Sequence, residues 1–448
     1  MWGIGYVGRL PGVSLPSWLM FILLLATLVV AGLCAGRYTQ RGFRGGVYVG
    51  LLAGALNLLI LGSVLHRGTP RETLLAALIW VPGSLLLSAG LAGLGAILGS
   101  TRRDPTRLSP NWPAAFGFVA AAATLLLLAV GGAVTGYDYG LAVVDWPNTA
   151  GYNMFLYPLA RMTGGIYFEH SHRLFGSLVG LTTLVLAIFL HVTRRASALK
   201  IMGWIALAMV IAQGILGGLR VTGRFTLSTS PADTAPSLAL AIFHGVLAQL
   251  FLACLVVIAS LLTQAWVHRR HALNAPGGNT DRALSLVLIA LLLVQLIFGA
   301  LVRHLSWKVS YLPHGLGAQP EELVRRGTWA LHGHITLAVL VTLAAITVGI
   351  RAWGLYGSSP VLRRLGSALM ILVGVQVALG LIALVLVSND SPQKLPTAPD
   401  VLVTTAHQIV GAVLLALAVA TGLWSHRLLQ SQTPAAAGNL RPQPARGV

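Results

Sequence analysis

The sequence predicts an all-α, polytopic membrane protein with about eleven transmembrane helices. Two features of its composition indicate this class: 56% of the 448 residues are hydrophobic and only 9% are charged. A water-soluble core cannot hide so large a share of apolar side chains. The third observation is that apolar runs of about 20 residues, the length that crosses a bilayer as a helix, recur along nearly the whole chain.

The first apolar run is expected to stay in the membrane and not to be cleaved as a signal peptide. The N-terminus carries one arginine, the run is long, and no pattern of small residues suited to cleavage follows it. Ten further runs follow. The predicted spans are 16–36, 46–65, 73–99, 113–135, 166–192, 201–220, 236–263, 283–302, 329–350, 365–387 and 402–425.

The formal net charge of +19 is explained by topology. The basic residues are scattered through short loops and form no single patch with interleaved aromatic residues, which argues against a nucleic-acid partner. They concentrate in alternate loops, and the positive-inside rule places such loops in the cytoplasm. We therefore expect a multi-pass protein of the inner membrane with its N-terminus outside and its C-terminus in the cytoplasm. The outer loops are then 136–165, 221–235, 303–328 and 388–401.

An internal repeat divides most of the chain into two halves. "HSHRLFGS" at 170–177 resembles "HGHITLAV" at 332–339, and "FHGVLAQLFLA" at 243–253 resembles "AHQIVGAVLLA" at 406–416. Between these motifs "QGILGG" matches "QVALGL", and before them "GGAVTG" matches "FGALVR". Each half contains four spans, an even number, so the two halves share one orientation and predict two parallel four-helix bundles.

The repeat sets the predicted domain boundaries. The two bundles are assigned to 113–263 and 283–425. Residues 1–99 form an extension of three additional spans whose role the sequence leaves open. A cytoplasmic linker rich in proline, arginine and serine covers 100–112, and a disordered cytoplasmic tail covers 426–448.

Each half keeps two histidines within its spans, at matching positions. They are His172 and His244 in the first half, and His334 and His407 in the second. Polar residues inside a membrane are costly, and a pair of imidazoles on facing helices is suited to axial ligation of a heme iron. Zinc fits less well because it usually takes three or four protein ligands, with cysteine or carboxylate common among them. A proton relay, and histidines bonded only to backbone or serine, stay open as alternatives.

The two histidine pairs differ by one acid. Glu169 lies three residues before His172, on the same helical face, while the position before His334 is Ala330, or Leu331 if the register slips by one. A carboxyl group beside an apolar pocket is suited to proton exchange. The asymmetry predicts reaction at the first pair and electron transfer at the second.

Five motifs together resemble those of the heme A synthase family. They are "GLAVVDWP" (140–147), "EHSHR" (169–173), "FHGVLAQ" (243–249), "HGHITLA" (332–338) and "TTAHQIVGAVLLA" (404–416). The resemblance covers about residues 113–425. It implies oxidation of the C8 methyl group of heme O to a formyl group, which gives heme A for terminal oxidases. It also implies that the first bundle binds the substrate heme O and that the second holds a permanent heme b.

The resemblance implies a role for each matching residue. His172 and His244 would flank the iron of the substrate, His334 and His407 would ligate the iron of heme b, and Glu169 would be the catalytic carboxylate. The remaining candidates would contact heme propionates or shape the first outer loop: Arg173, Arg220, Arg303, Asp145 and Trp146.

The sequence also departs from the family pattern. Many members carry a cysteine pair in the first outer loop, which is absent from "DWPNTAGYN". A basic residue often follows the glycine-rich end of the family's first helix, where this chain has Gly136 and Tyr137. Expected partners are the lipid bilayer, heme O, the farnesyltransferase that produces it, an electron-transfer partner and a second copy of the chain. A heme carrier without chemistry and a transporter stay open as other functions.

Overall fold

The computed structural model describes residues 1–65, 70–102, 110–193, 196–222, 238–268, 273–275, 277–306, 320–388 and 396–430. Within them, eleven helices are long and apolar enough to cross a membrane, which confirms the predicted multi-pass, all-α fold. These helices are α2 (Ser17–Tyr38), α3 (Gly42–Leu65), α4 (Pro70–Ser100), α5 (Trp112–Gly136), α6 (Gly164–Val192), α7 (Ser197–Val221), α8 (Leu238–Leu262), α10 (Gly278–Ser306), α11 (Pro320–Gly354), α12 (Pro360–Ser388) and α13 (Ala398–Leu428). Two short helices, α1 (Trp2–Gly8) and α9 (Gln264–His268), complete the set of α-helices.

Most of the helices extend beyond the predicted spans because hydropathy marks only their apolar parts. The clearest case is α11, which begins at Pro320, whereas the apolar run begins at 329. At the other end of the chain, the tail predicted to be disordered from 426 starts in ordered structure. Residues 426–428 finish α13, and β2 (Leu429–Gln430) pairs in parallel with β1 (Leu273–Asn274).

Some predicted segments lie outside the described residues. They are most of the linker (103–109), parts of three outer loops (223–237, 307–319 and 389–395) and the tail from 431.

The extension helices α2, α3 and α4 pack backbone against backbone through glycines. A Cβ atom added to Gly32 of α2 would lie 1.9 Å from the carbonyl oxygen of Ala92 in α4. On α4, a Cβ atom added to Gly95 would lie 2.1 Å from the carbonyl oxygen of Val29, and Gly99 meets the α2 backbone in the same way. Small residues are the usual means by which membrane helices approach this closely. The extension is therefore a tightly packed unit.

We expect Gly32→Ala to destabilise the extension by about 1–3 kcal/mol, because the new methyl group has no room against the α4 backbone. The apparent melting temperature of the purified protein in detergent measures this effect. Gly83→Ala in α4 is the matched control, since a Cβ atom there meets nothing within 4 Å. An unchanged melting temperature for Gly32→Ala would contradict the close packing.

The remaining long helices form two groups. Helices α5 to α8 contact one another around one core, which includes Leu186, Leu255 and Ile258, and α10 to α13 do so around a second core, which includes Leu288 and Leu369. The two groups meet where α13 contacts α5 and α8, and where α10 contacts α8. This packing supports the predicted pair of four-helix bundles.

Helix α1 attaches the extension to the first bundle. The ring of Tyr6 stacks on Tyr167 of α6 with centroids 5.5 Å apart, and the Tyr167 hydroxyl donates to the Tyr6 carbonyl over 2.5 Å. Trp2 packs edge-on against Phe175, also on α6, at 5.7 Å. The Trp2 indole donates to the side chain of Asn57 in α3. The extension therefore rests on the helix that carries Glu169 and His172.

Candidate functional site

The two histidines of each predicted pair face each other across their bundle. His172 on α6 and His244 on α8 have ring centroids 6.4 Å apart, with ring planes at 73°. His334 on α11 and His407 on α13 repeat this arrangement at 6.2 Å and 71°. The sequence repeat thus corresponds to a repeat of side-chain geometry.

The separation suits a metal ion held between two imidazoles. Two metal–nitrogen bonds of about 2 Å each, together with the distance from each ring centre to its nitrogen, place the ring centres about 6 Å apart. In all four rings Nδ1 is buried and has no hydrogen-bond partner among the described residues. No group of three or more histidine, cysteine, aspartate or glutamate side chains within metal-binding reach occurs in the described part of the chain. The donor set therefore fits the two axial positions of a heme iron better than a zinc site.

Each of the four rings lies against a glycine on a neighbouring helix. A Cβ atom added to Gly131 of α5 would lie 2.8 Å from Cε1 of His172, and one added to Gly299 of α10 would lie 3.1 Å from Cε1 of His334. Gly217 and Gly380 face His244 and His407 in the same way, at 3.5 and 3.0 Å. At Gly131, Gly299 and Gly380 a Cβ atom would press on the ring, whereas at Gly217 it would make ordinary contact. The glycines therefore keep space at the level of each histidine pair.

Glutamines support the histidine helices in both bundles. Gln213 of α7 donates to the His244 carbonyl at 2.9 Å, and its repeat counterpart Gln376 lies 3.3 Å from Nε2 of His407. The second bundle has an additional amide: Gln295 of α10 donates to the His334 carbonyl at 3.1 Å and lies 3.3 Å from Nε2 of the same histidine. The second pair is thus held by more polar contacts than the first.

Glu169 is buried on α6, with 4% of its surface exposed, and both of its oxygens are bonded. Arg173, one turn further along the helix, donates to Oε1 at 2.7 Å. The backbone N–H of Val143, in the first outer loop, donates to Oε2 at 3.0 Å. The carboxyl group therefore links the histidine helix to the loop that covers it.

The same arginine organises the first outer loop. Its two terminal nitrogens donate to the carbonyls of Val143, Asp145 and Asn148, each at 2.6 Å, in addition to Glu169. Arginine suits this position because its planar group presents several donors in fixed directions. The loop is thereby fastened across the outer end of α6.

Asp145 and Trp146 stabilise this loop through contacts within it and with α7. The carboxylate of Asp145 accepts from the N–H groups of Ala150 and Gly151 at 2.9 and 2.8 Å. Burial acts to raise the pKa of Asp145, but these two N–H groups and the charge of Arg173 lower it overall. Trp146 lies where a side chain on Gly218 of α7 would be, the residue next to the glycine that faces His244.

The other arginine candidates lie at two different places. Arg220, in the last turn of α7, lies against Gly140 of the outer loop, and its Nε is buried without a described partner. Arg303, in the last turn of α10, donates from Nη2 to the carbonyl of Gly132 in α5 at 3.0 Å. Arg220 therefore belongs to the first bundle, whereas Arg303 bridges the two.

His170 has a contact that the helical pattern did not reveal. It lies two residues before His172, about 200° around the helix. Its side chain is fully buried, with Nδ1 3.0 Å from the Thr149 hydroxyl and the ring beside Tyr157. His332, the matching residue in the second half, is exposed. The loop contact could not be predicted from the sequence, because Thr149 is one of many polar loop residues.

The fold and the sites define a multi-pass membrane protein with a facing histidine pair in each of two helix groups. The chain belongs to the COX15-CtaA family of cytochrome oxidase assembly proteins, whose sequence model matches residues 114–419. It is also 28% identical over 268 residues to the heme A synthase of Granulibacter bethesdensis, an alignment that covers 57% of this chain and 65% of that relative. The predicted family is thereby confirmed, and the chain spans slightly less than two thirds of this curated relative. The extension at 1–99 lies outside the family match.

Proposed function

We propose that the protein is a heme A synthase, an oxidoreductase that converts the C8 methyl group of heme O into a formyl group. The observation that carries this proposal is the pair of facing histidines at 6.4 Å and its near copy at 6.2 Å, in a chain of this family. Each pair has the separation required for two axial ligands of a heme iron. In this proposal the first histidine pair binds the substrate heme O and the second pair binds heme b.

In this proposal His172 and His244 flank the iron of the substrate, and Glu169 is the catalytic carboxylate beside it. Conversion of the methyl group into a formyl group with an oxygen atom from water releases four protons and four electrons, and the electrons pass to the proposed electron-transfer partner. A buried carboxyl group within one helical turn of a ligand is placed to accept protons in this conversion. The loop fastened by Arg173 covers this end of the bundle and would limit the access of water.

His334 and His407 are proposed to hold heme b. A heme b bound there would supply one-electron redox chemistry next to the first bundle. The additional contacts of Gln295 suit a group that stays bound, because fixed supporting contacts orient a ligand histidine. The same proposal includes the contacts of arginines with heme propionates and an inner-membrane location with the N-terminus outside. It also includes three partners: the farnesyltransferase, an electron-transfer partner and a second copy of the chain.

The decisive experiment is extraction of hemes from cells that express the chain together with a source of heme O. We expect a formyl heme with the retention time of heme A on reversed-phase chromatography, and none in cells that lack the chain. Extracts that contain only heme O and heme B would overturn the proposed activity.

One observation favours a second candidate, a heme carrier without chemistry. The two histidine pairs differ by only 0.2 Å and 2° in geometry, as two sites for the same heme would. The carrier does not account for Glu169, which has no acidic counterpart at Ala330 or Leu331. The extraction separates the two functions, since a carrier gives no formyl heme.

A further inference from the structure

Three arginines are candidates to bind the carboxylates of a porphyrin, and the structure gives them different surroundings. Arg173 already donates to three loop carbonyls and to Glu169. Its donors are committed to the loop, so its role is to position that loop. A ligand that used this guanidinium would have to release the fastening of the outer loop.

Arg303 is anchored on the boundary between the bundles. It donates to the carbonyl of Gly132, and its Nη2 lies 3.0 Å from the position of a Cβ atom on Gly136. A Cβ atom on Gly132 would meet Thr405 of α13, so this face of α5 looks towards the second bundle. Gly131, in contrast, faces His172. The guanidinium of Arg303 thus lies on the far side of α5 from the first histidine pair.

Arg220 faces the first site. It lies three residues after Gly217, the glycine that faces His244, so the two residues share one face of α7. Asp138 and Glu169 are the carboxylates whose charges act on it. The guanidinium rests on the backbone at Gly140, where a Cβ atom would lie 3.3 Å from Nη2, and its Nε has no described hydrogen-bond partner. A cation at this depth is costly unless an anion meets it.

The carboxylate of Glu169 does not bond the Nε of Arg220. Glu169 is already bonded to Arg173 and to the Val143 N–H group. The buried Nε therefore stays available to a further acceptor from the bundle interior.

The internal repeat shows that Arg220 is a feature of the first bundle alone. "QGILGGLR" at 213–220 aligns with "QVALGLIA" at 376–383, and this register also pairs the two glycines that face His244 and His407. Ala383 therefore stands where the first bundle has Arg220. Glu169 likewise has no acidic counterpart. Arg173 also lacks a charged counterpart, since it aligns with Ile335. Of the two cations near the first histidine pair, Arg220 is the one whose donors are not committed to the outer loop.

We propose that Arg220 binds a carboxylate of the porphyrin in the first bundle and so orients the substrate relative to Glu169. This inference rests on the proposed function and specifies the part of the substrate that the first site recognises. A guanidinium and a carboxylate form two parallel, charge-assisted hydrogen bonds, which fix orientation as well as adding affinity. Such a contact would also satisfy the buried Nε.

The test measures binding without turnover. In a background of His334→Ala and His407→Ala, ferric protoheme titrated into the purified protein in detergent reports on the first site through its Soret band. We expect Arg220→Gln to weaken this binding about tenfold, the loss of one charge-assisted contact. Protoheme dimethyl ester, which lacks free carboxylates, should bind Arg220→Gln and its parent equally. Arg220→Lys should recover part of the loss because it keeps the charge.

Arg161→Gln is the matched control, because Arg161 is exposed in the same outer loop and its side chain donates only to Tyr152 among the described residues. It should bind protoheme as the parent does. The inference alone is overturned if Arg220→Gln binds protoheme as tightly as its parent, if it weakens the acid and the ester equally, or if Arg303→Gln shows the acid-specific loss instead. A parent that binds no protoheme at all would overturn the proposed function together with this inference.

Discussion

Purified protein with His334→Ala or His407→Ala is expected to lose the absorption bands of low-spin heme b. In the proposed function each imidazole supplies one of the two protein ligands of the iron, at a ring separation of 6.2 Å. Among the described residues no third histidine, cysteine, aspartate or glutamate lies close enough to replace either one. A single ligand holds heme weakly and leaves the iron high-spin. The spectrum of the reduced protein, with pyridine hemochrome quantification of heme per chain, measures the loss.

The control for this prediction is His332→Ala. His332 is two residues before His334, about 200° around the helix, and exposed, so its removal should leave the spectrum unchanged. The arrangement would be wrong if the heme content of His334→Ala or His407→Ala matched that of His332→Ala.

The eleven spans could be predicted because a helix that crosses a bilayer must be apolar over about 20 residues. This constraint acts on the sequence directly, without reference to tertiary contacts. The requirement for apolar residues does not apply to the helix ends, because their polar turns lie outside the hydrocarbon. Helix α11 therefore starts well before its apolar run. The backbone packing at Gly32 could not be predicted from hydropathy either, because a glycine in an apolar run can also face open space, as Gly83 does.

The histidine pairs could be predicted because a duplication displays the same side chains twice at one spacing. His172 and His334 stand out against changed neighbours, and the structure brings each to its partner on another helix. The roles of these residues in ligation and catalysis stay predictions. Only the pairing itself is a matter of geometry.

The contacts of Arg173 could not be predicted, because its acceptors are backbone carbonyls, which every loop residue has. A sequence shows an arginine at an outer helix end, where a heme carboxylate, a lipid headgroup and a loop are equally plausible acceptors. The structure places Val143, Asp145 and Asn148 around it. For the same reason, the contact of His170 with Thr149 had no signal in the helical pattern.

Glu169→Gln is expected to lower heme A formation by at least about a hundredfold while the heme b spectrum stays intact, the scale of loss typical for a general base. The amide oxygen of glutamine can still accept from the Val143 N–H group, so the loop keeps one of its two attachments to this side chain. What the variant loses is the ability to take up a proton and the negative charge opposite Arg173. Heme extracted from cells with a heme O source measures the product.

A structural role for Glu169 would give a different pattern, because its second oxygen also holds the loop through Arg173. Hydrogen exchange at 140–152 separates the two roles: a proton-transfer role predicts protection close to that of the parent, while a purely structural role predicts loss of protection together with loss of product. Glu169→Asp keeps the charge on a shorter side chain, so it should retain more activity than Glu169→Gln if proton transfer matters. Parent levels of heme A from Glu169→Gln would remove this residue from the chemistry, since an amide cannot act as the base.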